Sequence, residues 1–129
     1  MQNPIPKPTE AELEILQILW QKEQATVRDV HEQLTLSKES VYTTTLKIMQ
    51  IMAEKGLVTR NEENRTHIYM AAVREEDIQK TLLDKFIDTT FRGSAMKLVM
   101  QALGNNKTSS EELAEIQRLL EQMRGKKPS

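Results

Sequence analysis

From Thr9 onward, apolar residues recur every three or four positions. Leu13, Leu16 and Trp20 form one stripe, and Ile15, Ile18 and Leu19 widen it. A stripe this wide predicts a helix clamped between other elements, with Trp20 in the core. Thr9 and Glu12 have the spacing of a capping box at its start. Gln21 to Ala25 reads as a loop. Thr26 is an N-cap for a second helix ending at Leu34, with Asp29 in its first turn, where negative charge suits the helix dipole. Val27, Val30 and Leu34 are its buried side. Thr35 to Ser37 breaks the pattern, and Ser37 reads as the N-cap of a longer helix, Lys38 to Lys55. On that helix Val41, Thr45, Ile48 and Met52 fall on one buried face. Ser40, Thr43, Thr44 and Lys47 fall on the opposite, polar face. Gly56 ends the helix.

Past Gly56 the elements shorten. Leu57 to Arg60 and Thr66 to Ala71 read as two strands around the turn Asn61 to Asn64, with Arg65 just beyond the tip. Helix, turn, second helix and hairpin in that order predict a mainly α fold, a winged helix-turn-helix with a small β-hairpin wing. Such a layout delivers one helix to the DNA major groove. Three more helical patterns follow. Val73 to Thr90 aligns Ile78, Leu82 and Phe86, with Leu83 and Ile87 beside them, and Gly93 breaks it. Ser94 to Leu103 is short and apolar, closed by Gly104-Asn105-Asn106. The last is capped by Thr108 with Glu111 or by Ser109 with Glu112, and carries Leu113, Ile116, Leu120 and Met123 at heptad spacing. The expected organisation is a disordered lead-in over 1–8, where Pro4, Pro6 and Pro8 forbid regular structure. A winged-helix DNA-binding domain spans 9–72, a C-terminal helical dimerisation domain 73–124, and a frayed tail 125–129.

Composition narrows the picture. With 129 residues and 4% aromatics the chain buries a modest core, which favours extra burial by assembly. It contains no cysteine, so disulfides, thiolate zinc sites and cysteine-based copper or redox sensing are excluded. No long apolar stretch opens the chain, so no signal peptide or membrane insertion is expected, and the expected location is cytoplasmic. A net charge of −1 argues mildly against nucleic acid, yet only the face that meets phosphate must be basic. Acid gathers at Glu10, Glu12 and Glu14, on a helix free to face away. Arg28, Lys38, Lys47, Arg60 and Arg65 lie within the motif and are free to share a face.

The candidate DNA contacts are Ser40, Tyr42, Thr43, Thr44 and Lys47, with Arg65 at the wing and Arg28 and Lys38 at helix starts. Hydroxyls donate to phosphate, a threonine methyl packs on thymine, and lysine reads guanine or phosphate. In the plainer reading Thr43 and Thr44 are ordinary exposed residues, Arg65 is a solvated turn arginine, and Arg28 and Lys38 form surface ion pairs. Three consecutive threonines are poor helix formers, which favours a surface role. His31 and His67 lie on separate elements without ligand spacing, so neither a metal nor another cofactor is expected. No nucleophile or phosphate-loop motif is present, and no enzyme is expected. Leu82, Leu83, Phe86, Phe91, Leu98, Val99, Leu103, Ile116, Leu120 and Met123 are either a two-fold dimer interface or an intrachain bundle. The dimer is favoured, because two winged helices about one helical turn (roughly 34 Å) apart read a palindrome.

These residues resemble the penicillinase-repressor family, the BlaI, MecI and CopY type of bacterial regulators. The resemblance rests on Glu12-Leu13-Glu14-Ile15-Leu16, Leu19-Trp20, Val41-Tyr42-Thr43-Thr44, Glu54-Lys55-Gly56-Leu57-Val58, and Arg65 with Tyr69. It covers about residues 9 to 123. It implies a homodimeric repressor of inverted-repeat promoters, many controlling β-lactamase or penicillin-binding-protein genes. It further implies relief by proteolysis in the dimerisation domain, triggered by a membrane sensor peptidase in a β-lactam or cell-envelope response. The family's Asn-Phe cleavage pair aligns with Gln101-Ala102, so that pattern is not preserved here. The copper-responsive branch uses C-terminal cysteines, so copper control is not expected. Gln50 and Ile51 stand where the family often carries arginine or asparagine on the groove face. The rival expectation is a winged-helix module that binds protein without sequence-specific DNA binding.

Overall fold

The structure, a computed structural model, describes residues 5–63, 65–105 and 108–125. The chain divides into two units, Met1–Asp84 and Lys85–Ser129. The first contains α1 (Glu10–Lys22), α2 (Val27–Leu34), α3 (Tyr42–Lys55), β1 (Val58–Asn61) and β2 (Ile68–Ala71). Helix α4 (Glu75–Phe91) crosses the division, and α5 (Ala95–Asn105) and α6 (Ser110–Gly125) complete the second.

Local chemistry sets the first two helix starts. Thr9 Oγ1 accepts from Glu12 N–H at 3.1 Å, and Glu12 Oε1 accepts from Thr9 N–H at 2.8 Å. Thr26 and Asp29 make the same reciprocal pair, both bonds at 3.1 Å. Residues 5–8 have no regular structure, yet Pro8 is buried and Ile5 packs against the core, so this part of the lead-in is held in place.

The third helix begins at Tyr42, four residues beyond the expected start at Lys38. The Ser37 hydroxyl donates to the Leu34 carbonyl at 3.3 Å, so Ser37 finishes α2 instead of capping α3. Ser40 turns toward Thr45, with its Oγ 3.5 Å from Thr45 Oγ1. Val41 becomes the N-cap, extended and without a side-chain bond. Ser40 and Val41 therefore lie outside the helix, and the phase of the face changes. Val41 is 65% exposed where burial was expected, and Thr45, Met49 and Met52 form the buried side with Ile48 half-buried. Gly56, at φ 84°, ends the helix in the left-handed region that favours glycine.

The wing is antiparallel, Val58 pairing with Ala71 and Asn61 with Ile68. Asn61 Oδ1 accepts from Glu63 N–H at 2.9 Å and opens the turn. The strands start one and two residues later than expected. Asn64, the last residue of the expected turn, lies outside the described residues. Ala25 and Tyr69 exchange two backbone bonds (3.0 and 2.8 Å), which lashes the α1–α2 loop to β2.

The core joins Ile15, Leu16 and Leu19 of α1, Val30 of α2, Met49 and Met52 of α3, Leu57, Tyr69 of β2 and Ile78 of α4. Glu12 was expected to face away with the other acids. It is 3% exposed instead, with both carboxylate oxygens within 3.0 Å of Lys55 Nζ. Burial alone would raise its carboxyl. The Thr9 N–H, the Lys55 ammonium and the Thr9 hydroxyl outweigh that and hold it below its ordinary value. Trp20 is half-buried, and its indole donates to the Val73 carbonyl at 3.0 Å where the chain enters α4. Leu82 packs in part against the same core.

In the second unit Phe86 and Phe91 meet edge to face, centroids 5.6 Å apart. Gly93, at φ 84°, breaks the chain between helices. Of the two capping pairs open for the last helix, Ser109 and Glu112 bond reciprocally at 3.1 and 3.2 Å. Among the described residues α5 and α6 bury no side chain. No described helix is long and apolar enough to cross a membrane.

Candidate nucleic-acid interface

Helix α3 turns Thr45, Met49 and Met52 into the core, so its outer face carries Thr43, Thr44, Lys47, Gln50, Ile51 and Glu54. The first three were expected there; Gln50 and Ile51 sit one turn further on. Lys47 forms no ion pair among the described residues, which leaves its ammonium free for an anion.

Tyr42, at the start of this face, is anchored from α2. The His31 ring meets it edge on, with centroids 5.6 Å apart, and the Arg28 guanidinium lies 5.7 Å from its centroid. His31 Nδ1 is 3.1 Å from the hydroxyl of buried Thr45. Ser40, expected on the groove face, joins this same polar cluster behind it. Thus α2 fixes the start of α3 through rings and hydroxyls where a side-chain cap is missing. Lys38, a candidate phosphate clamp, is bound to Glu14 of α1 at 3.0 Å, and both side chains are well exposed. A bridge of that kind contributes little stability.

On the wing, the Arg60 guanidinium hydrogen-bonds Tyr69 and pairs with Glu62 at 2.5 Å. The Tyr69 bond and the Glu62 carboxylate raise it further above its already high ordinary value. Arg65 is exposed and makes no ion pair among the described residues. A cleft of about 390 Å³ opens between the start of α2, the Tyr42–Leu46–Gln50 edge of α3 and the wing. Arg28 and Arg65 thus meet at one concavity, although they are far apart in sequence. Arg60 and His67 also line it, and the sequence reading assigned neither a site role. The signal for Arg60 was its position across the wing turn from Arg65. His67 falls inside the expected strand Thr66 to Ala71, but β2 begins only at Ile68, and His67 borders this cleft instead.

Most of the expected interface positions show open apolar side chains, Leu83 at the end of the first unit and the rest in the second. Leu83, Phe86, Val99, Leu103, Leu120 and Met123 are 39–60% exposed. Phe91, Leu98 and Ile116 are half-buried. Gln101 and Ala102, at the family's cleavage position, are exposed within α5, and Gln101 Oε1 accepts from Asn105 Nδ2 at 3.1 Å. Among the described residues no three histidine, aspartate or glutamate side chains converge as metal ligands.

Comparison with known proteins agrees with this architecture. The penicillinase repressor of Bacillus licheniformis is 25% identical over 127 residues, 95% of this chain and 96% of that one. The methicillin resistance regulatory protein MecI of Staphylococcus aureus strain N315 is 25% identical over 120 residues, 93% of this chain and 98% of that one. The solution structure of the DNA binding domain of the repressor BlaI superposes with a TM-score of 0.52 at 22% identity. That match covers 59% of this chain and 93% of the other, and it is a likeness of fold. The family described as penicillinase repressor matches residues 8–122, and the chain belongs to that family.

Proposed function

We propose that this chain is a transcriptional repressor that binds inverted-repeat promoter DNA as a homodimer. The observation that carries the reading is the outer face of α3, where Thr43, Thr44 and Lys47 stand clear of the core and, among the described residues, no acid is paired to the lysine. In this reading they enter the major groove, while Tyr42, Arg28 and Arg65 grip the flanking backbone. Ser40 and Lys38 seat the α2–α3 turn, since the first bonds inward and the second is tied to Glu14.

The second unit supplies the two-fold. Its apolar stripes are too exposed for a finished intrachain bundle, and a second copy is the natural cover. With Leu82 and Leu83 at the end of the first unit, the interface comprises Phe86, Phe91, Leu98, Val99, Leu103, Ile116, Leu120 and Met123. The names of the relatives, penicillinase repressor and methicillin resistance regulatory protein, support a regulator of an antibiotic response, and a cytoplasmic location goes with that reading. On the family's plan a membrane sensor peptidase relieves repression by a cut in the second unit. Gln101–Ala102 lies within a helix, so a cut there needs α5 to open.

The test is fluorescence anisotropy of the chain with its own upstream promoter duplex and a scrambled duplex at several salt concentrations. Expected are promoter preference, two chains per site, and a salt slope of about −0.9 per phosphate neutralised. Equal weak binding to both duplexes, or none, overturns the reading.

A further inference from the structure

On the repressor reading, we propose that His31 is a positioning residue for DNA recognition. It takes the place of the N-cap that α3 lacks and sets where the first turn of that helix stands, without touching the duplex itself. That turn, Tyr42 to Thr45, is poorly equipped to hold its own shape. Val41 precedes it with no side-chain bond, where a serine or aspartate usually closes the turn. Three threonines in a row lower its helix propensity further. Yet the same turn carries Tyr42, Thr43 and Thr44, the residues assigned above to the duplex.

Side-chain contacts reach this turn from α2, and His31 makes two of them. Its Nδ1 lies 3.1 Å from Oγ1 of Thr45, which is 1% exposed. Its ring meets the Tyr42 ring edge on, with planes at 83°. One side chain thereby holds both ends of the turn. Arg28, three residues earlier and so on the same side of α2, stands by the Tyr42 ring as well. Ser40 extends the hydroxyl chain back along the approach to α3. The base is firm, because α2 is closed by its Thr26 and Asp29 capping pair and sinks Val27, Val30 and Leu34 into the core. The cleft beside α3 is lined by Tyr42 and Arg28, and not by His31. Any effect of His31 on a duplex therefore passes through Tyr42 and Thr45. Without it, Met49 and Met52 still fasten α3 to the core, but its first turn frays. Base reading then suffers more than phosphate attraction, which rests on cations elsewhere.

The experiment measures anisotropy on promoter and scrambled duplexes across a salt series, with urea unfolding alongside. The proteins are the parent, His31→Phe, Thr45→Val, their double variant and Gln33→Ala. His31→Phe keeps a ring beside Tyr42 and loses the nitrogen; Thr45→Val keeps the shape and loses the hydroxyl. Each should weaken promoter binding about fivefold, the size of a lost cap, and scrambled duplex less. Each should keep the parent's salt slope, since no phosphate contact is removed. The double variant should be no weaker than either single one, because both break one bond. Gln33→Ala, exposed on the same helix, should match the parent. In the free protein the amides of Thr44 and Thr45, bonded to the Val41 carbonyl, should exchange faster in both single variants while those of Met49 and Met52 stay protected. If His31→Phe does not fold, Thr45→Val carries the test through its promoter-to-scrambled ratio. Additive losses, a flattened slope or parental affinity in the single variants overturns the proposal and leaves the repressor reading standing. So does a lower unfolding midpoint with the affinity of the folded protein unchanged, since His31 then serves stability alone. A parent that shows no promoter preference removes the repressor reading, and the positioning role falls with it.

Discussion

At the scale of single residues, Glu12 caps its own helix and holds Lys55 at the end of another. Its carboxyl is depressed in the fold, so the stability it adds is fully present above its ordinary value of 4.5 and is lost as pH falls through the folded value. Glu12→Gln keeps the capping geometry but removes the charge. It should cost about 1–2 kcal/mol near neutrality, and the gap should close in acid. Urea unfolding at about pH 7 and about pH 3.5 checks this; an equal gap at both would refute the ion pair's role. Glu23 presents the opposite case, a non-glycine residue at φ 71° closing α1. Glu23→Gly should raise stability by roughly 0.5–1 kcal/mol by relieving that strain, and a lower melting midpoint would contradict it. The capping pairs are legible in sequence because each partner lies three residues on. Lys55 lies 43 residues from Glu12, and no local spacing announces it.

At the scale of elements, helix order and the wing are legible because each rests on its own apolar period and on Gly56. The start of α3 is not. Ser37 and Ser40 both look like N-caps locally, but one hydroxyl bonds back to α2 and the other inward to Thr45. Tertiary competition of this kind leaves no trace in spacing. The exposed polar face keeps Thr43, Thr44 and Lys47, because they lie beyond the shifted start. The cleft is the least legible part, since Arg28, Arg60 and Arg65 come together only through the pairing of α2, α3 and the wing. On the proposed function, Lys47→Ala should weaken promoter binding by about 1–3 kcal/mol. Loss of preference over scrambled duplex would identify Lys47 as a base reader, and a uniform loss as a phosphate contact. Parental affinity in anisotropy would remove α3 from the groove.

At the scale of the whole molecule, a modest core and open apolar stripes divide the labour between the two units. Phe86 is 48% exposed, so Phe86→Asp should leave the first unit folded while driving the proposed dimer to single chains in sedimentation. Promoter affinity should fall with it by a factor of about 100 or more, as two linked half-sites become independent. A variant that sediments as two chains would place the two-fold elsewhere. The bond from Trp20 to the Val73 carbonyl makes this separation visible. Trp20 is the chain's single tryptophan, and both tyrosines, Tyr42 and Tyr69, also precede residue 85. The indole and phenol chromophores of the chain thus report from the first unit alone. A red shift of indole emission signals that α4 has come away from α1, whereas dissociation of two intact chains leaves the spectrum where it was.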